Sequence, residues 1–124
     1  MIGAVHVCTG CSHPSRDRRS DGPTGLDMVP AIRSLVGKAG LGEALGVVPY
    51  PCLGNCERRC RLSVGGRGRW SWLLGDLAPD DVPPDLATFI QRWVATPDGF
   101  LAKESRPPLL RRHLIGRVPP LLPR

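Results

Sequence analysis

Five cysteines in 124 residues fall into two tight groups, Cys8-Thr9-Gly10-Cys11 and Cys52-Leu53-Gly54-Asn55-Cys56-Glu57-Arg58-Arg59-Cys60. Each group follows an apolar, strand-like run, Ala4-Val5-His6-Val7 before the first and Gly46-Val47-Val48-Pro49-Tyr50-Pro51 before the second. Two chelating pairs on separated loops are how a small protein surrounds a metal ion or an iron–sulfur cluster with four thiolates. A four-sulfur cage is therefore the first expectation for this chain.

The compartment supports that reading over disulfides. The opening residues lack the charged start and long apolar segment of a secretory signal. No stretch reaches the roughly 18 apolar residues that a membrane span needs. The chain is expected to be soluble and cytoplasmic, where clustered cysteines bind metal or do redox work more often than they pair. An odd number of cysteines also excludes complete pairing within one chain.

Along the chain, residues 12–25 are polar and read as a loop. Met28, Ile32, Leu35, Val36 and Ala39 recur at helical spacing, with Asp27 as N-cap, Pro30 in the first turn and Gly40 at the end. Prolines in the second strand argue for a sheet edge. Leu62-Ser63-Val64 and Trp70-Ser71-Trp72-Leu73-Leu74 form a hairpin about Gly65-Gly66-Arg67-Gly68. A second helix, capped by Asp80 or Asp81, carries the stripe Leu86, Phe89, Ile90, Trp93 and Val94 and ends at Pro97-Asp98-Gly99. The expectation is one α/β domain over residues 1–99, with four strands in a mixed sheet and two main helices. Residues 100–124, rich in Pro, Arg and Leu, are an extension that packs on the domain or on a partner.

Several function classes find little support. Ser63 and Ser71 have no histidine and acid partners in sequence context, and Gly65-Gly66-Arg67-Gly68 lacks the lysine and following helix of a phosphate loop. The chain is expected to be an electron-transfer or metal-binding protein rather than an enzyme. The net charge is +6. Its basic residues, however, are not interleaved with an aromatic platform, so nucleic acid is not an expected partner. Arg58, Arg59 and Arg61 adjoin the second cysteine group and are placed to offset the negative charge of a thiolate-bound centre. Trp70, Trp72 and Trp93 are assigned to the core and His113 to the surface. His6 packs or faces solvent, and His13 is a loop residue near the first cysteine pair.

The motifs taken together resemble the thioredoxin-like [2Fe-2S] ferredoxins: a strand and two nearby cysteines, a helix, a strand, then Cys52-Leu53-Gly54-Asn55-Cys56 entering a hairpin. The sequence is most similar to a bacterial family of predicted metal-binding proteins related to them. Trp70-Ser71-Trp72-Leu73-Leu74-Gly75-Asp76-Leu77, Arg106-Pro107 and Arg117-Val118-Pro119-Pro120 occur here in that family's order. The resemblance covers nearly the whole chain and implies a single thioredoxin-like domain. It further implies a [2Fe-2S] cluster held by Cys8, Cys11, Cys52 and Cys56, with one departure, a shorter spacer between the first two cysteines. Cys60 is the spare, either a small buried residue or an exchangeable ligand. A four-cysteine zinc site uses the same atoms, and Cys8 with Cys11 could instead form a metal-free redox dithiol. The expected partner is a redox or metal-handling protein with an acidic surface. Neither nucleic acid nor membrane is expected, and a homodimer is compatible with the sequence.

Overall fold

The computed structural model describes residues 2–9, 25–51, 61–77 and 84–120. The expected ligands Cys11, Cys52, Cys56 and Cys60 lie outside them, as do His13, Arg58 and Arg59. The second helix is not capped by Asp80 or Asp81 as expected: it starts at Asp85 with Pro84 at its N-cap and no side-chain cap, because the two prolines that follow those aspartates delay its first turn.

One mixed sheet runs through the chain, in the order β2-β1-β3-β4-β5. Its strands are β1 (Gly3–Cys8), β2 (Leu45–Tyr50), β3 (Leu62–Gly65), β4 (Ser71–Leu74) and β5 (Leu114–Val118). β1 and β2 are parallel and joined through α1 (Gly25–Lys38); the other pairings are antiparallel. The α2 helix (Asp85–Ala95) follows β4, and two short 3₁₀ turns, Lys103–Ser105 and Pro108–His113, lead into β5.

Among the described residues the sheet has five strands where the sequence suggested four. The fifth comes from Leu114-Ile115-Gly116-Arg117-Val118, whose glycine and arginine dilute the alternation that marks a strand. Its conformation is set by pairing with β4, including a register shift at Leu73/Leu74. β2 lies at the opposite edge, in keeping with Pro49 within it and Pro51 just after it.

Strand alternation places Val5, Val7, Leu62, Val64, Trp72 and Leu74 in one buried cluster. Met28, Val29, Ile32 and Val36 of α1 join it, with Leu86, Phe89, Ile90 and Trp93 of α2. Side chains on the other face of β2 stay open to solvent: Tyr50 is 51% exposed and meets the half-buried His6 ring edge-on at 6.2 Å.

α1 begins before Asp27, which therefore sits in its first turn, where a carboxylate favours the positive end of the helix dipole. It closes on Gly40 at φ +76, with Gly40 N–H donating to Gly37 O (3.1 Å) and Leu41 N–H to Val36 O (3.0 Å). These are the two bonds of a Schellman ending, which a glycine in the left-handed region allows. α2 ends differently, on a side chain from the hairpin. The Arg69 guanidinium donates to the carbonyls of Trp93, Val94 (3.3 Å), Thr96 (2.8 Å) and Pro97 (3.3 Å) and lies 4.5 Å from the centre of the Trp93 ring. A cation there satisfies carbonyls that the helix leaves without partners. Burial lowers the pKa of Arg69, and Asp98 opposes the shift.

Candidate metal centre

Pairing register determines what meets at the end of the sheet. Cys8 is opposite Tyr50, and Val7 is opposite both Pro49 and Leu62. The carboxyl ends of β1 and β2 and the amino end of β3 thus converge. In open α/β sheets this is the end where ligands bind. The backbone ties the three ends together: Cys8 N–H donates to Arg61 O (3.0 Å) and Thr9 N–H to Tyr50 O (2.8 Å). The segment bearing Cys52, Cys56 and Cys60 departs after Pro51 and returns at Arg61, and both flanking residues touch Cys8. The segment bearing Cys11 departs from Thr9 at the same end.

Cys8 is fully buried, its Sγ 3.9 Å from the carbonyl oxygen of Pro51. Arg61, also fully buried, donates from its guanidinium to Cys8 Sγ at 3.1 Å. A guanidinium keeps its charge at any pH a protein meets. Burying one is costly unless an opposite charge or good acceptors accompany it. Sulfur is a weak acceptor as a thiol and a strong one as a thiolate. A charged donor at this distance would strengthen the sulfur's hold on a metal as a thiolate, the form in which cysteine ligates.

Arg61 was legible in the sequence as a basic neighbour of the second cysteine group. Its reach across to the first group was not. Nothing in the local sequence distinguishes it from Arg58 and Arg59, and its inward direction follows from pairing alongside β1. Among the described residues, no group of three or more His, Cys, Asp and Glu side chains comes together as a metal site.

One further residue differs from expectation. His113 is buried, only 5% exposed, whereas its basic surroundings suggested the surface. Its Nδ1 lies 2.9 Å from Gly75 O, its backbone carbonyl accepts from Gly75 N–H (2.8 Å), and Nε2 accepts from Arg112 Nε (3.3 Å). His113 thereby clamps the turn after β4, where Asp76 adopts φ +59. Trp72 and Trp93 lie in the core as expected, while Trp70 is half-buried.

The family described as "Protein of unknown function (DUF1636)" matches residues 5–120. No curated protein matches the sequence. In three dimensions the chain is similar to a thioredoxin-like [2Fe-2S] ferredoxin from Aquifex aeolicus. The TM-score is 0.57 with 17% identity, covering 96% of this chain and 94% of that one. The fold is accordingly thioredoxin-like, with an added fifth strand.

Proposed function

We propose that this chain, which belongs to the DUF1636 family, is a small iron–sulfur protein that carries one electron, its [2Fe-2S] cluster held by Cys8, Cys11, Cys52 and Cys56. The observation that carries the reading is the buried Arg61 guanidinium against Cys8 Sγ at the end of the sheet. The donor set fits the group: four thiolates in two short chelating stretches suit a cluster whose irons each take two sulfur ligands. Likeness in fold to a ferredoxin supports the same reading.

The cluster would supply a one-electron couple. Within the chain, β1 holds Cys8 in a buried position, and the Arg61 guanidinium beside it would offset the negative charge of a thiolate-bound centre. A hydrogen bond to a ligand sulfur and a nearby cation both favour the reduced state. The core around Cys8 keeps water from its sulfur, lowering the local dielectric and strengthening the Arg61 interaction.

Anaerobically reconstituted protein should be red-brown and give an EPR signal after one-electron reduction. A protein that stays colourless and EPR-silent would remove the electron-carrier reading and leave the zinc or dithiol alternatives. Serine at position 8, 11, 52 or 56 should strongly lower cluster content, because an alkoxide or hydroxyl is a harder, poorer ligand for iron in this setting. Cys60→Ser should have a mild effect; cluster loss there with full retention in Cys11→Ser would reassign the ligand set.

A further inference from the structure

A second concentration of positive charge lies in the sequence after α2, apart from the cysteines. Residues 100–120 carry Lys103, Arg106, Arg111, Arg112 and Arg117 against the single acid Glu104, so this stretch holds +4 (5 − 1) of the chain's +6. Three of the arginines come together. The Arg117 guanidinium stands 5.7–5.9 Å from the ring centres of Trp70, Trp72 and Phe100, and Arg106 stands 5.1 Å from Trp72. Arg111 donates to Lys103 O (3.3 Å) and Arg106 Nε to Leu101 O (2.8 Å). Burial lowers the pKa of Arg106, and the charges of Arg117 and Arg111 add to the effect against Glu104.

We propose that Arg106 and Arg117, set over the Trp70, Trp72 and Phe100 rings, form with Lys103 and Arg111 a docking surface for an acidic protein partner. Arg106, Arg111 and Arg117 are held by rings or backbone carbonyls, and Lys103, Arg111 and Arg117 are exposed, so their charge is open to carboxylates of a partner. Holding the guanidinia in place reduces the entropy lost on binding. Arginine beside buried aromatic rings is the composition of protein-binding hot spots, and Leu109, 70% exposed and two residues from Arg111, adds an apolar contact. Nucleic acid fits less well, because bases need open aromatic faces. Here Trp72 is buried and Arg117 stands close to all three rings.

The inference does not depend on what the cysteines bind, so its failure is separable from failure of the iron–sulfur reading. The test titrates the full chain, with its metal content measured separately, with a leucine-flanked octaglutamate peptide. Oligothymidylate of equal charge and an octalysine peptide serve as comparators. Saturable binding of the acidic peptide is expected, about tenfold weaker when salt rises from about 0.05 to 0.3 M as screening shortens. Lys103→Glu with Arg111→Glu changes two exposed side chains and should weaken binding about tenfold or more without moving the thermal midpoint. Arg33→Glu on the exposed side of α1 should leave affinity unchanged. Absence of saturable binding, equal loss in Arg33→Glu, or tighter oligothymidylate binding through the same residues would overturn the proposal. An effect of Arg106 and Arg117 substitutions on melting alone, without one on binding, would reduce the cluster to a clasp that fastens β5.

Discussion

Arg61 and Cys8 form the contact on which the chemistry turns. Replacing Arg61 with Met keeps much of the side-chain volume and removes both the charge and the donor to Cys8 Sγ. Metal affinity should fall by about 10- to 100-fold, the range for lost partners of a metal ligand. In protein that still loads, the reduction potential should become more negative. Redox titration of Arg61→Met beside Arg61→Lys checks this, since lysine restores the charge without the planar fork. Equal potentials in wild type and Arg61→Met would mean that the guanidinium serves packing alone. Position 3 offers a purely steric counterpart. A Cβ on Gly3 would lie 2.2 Å from Gly65 O and 2.9 Å from a ring carbon of Trp93, so Gly3→Ala should destabilise by about 1–3 kcal/mol in urea unfolding.

At the level of elements, the helices and first four strands could be read from periodicity, because each carries its apolar residues at the spacing of its own geometry. Met28, Ile32 and Val36 mark α1, and Leu86, Phe89, Ile90 and Trp93 mark α2. What could not be read were features supplied by distant partners. The end of α2 is one: Arg69, in the hairpin turn, serves carbonyls 24 to 28 residues away. Arg69→Met should lower stability by about 1–2 kcal/mol through lost carbonyl bonds and helix-end electrostatics, measurable as a lower urea midpoint with an unchanged slope. An unchanged midpoint would show that water replaces the guanidinium at no cost. β5 is the other such feature, since its residues become a strand only beside β4. The buried state of His113 follows from that pairing, because the strand brings it onto Gly75.

For the molecule as a whole, residues 101–118 complete the fold. Leu101 and Leu110 are buried in the common core, and β5 covers the free edge of β4. A chain cut after Phe100 should lose cooperative unfolding or aggregate, as unpaired edges and newly exposed apolar surface do. Circular dichroism melts and size-exclusion chromatography test this; a monomeric, cooperatively melting product would show that the first four strands suffice. The candidate site was legible only in part, for a related reason. The paired cysteines and the basic residues beside them stand out in the chain, but the meeting of Cys8 with Arg61 depends on strands that join residues 53 positions apart. The central claim is that four cysteines hold an iron–sulfur centre at this end of the sheet. Iron, acid-labile sulfide and zinc measured on anaerobically purified protein test it most directly. The account predicts about two irons and two sulfides per chain with little zinc, and loss of both iron and sulfide in Cys8→Ser. Stoichiometric zinc without sulfide, or undiminished iron and sulfide in Cys8→Ser, would contradict it.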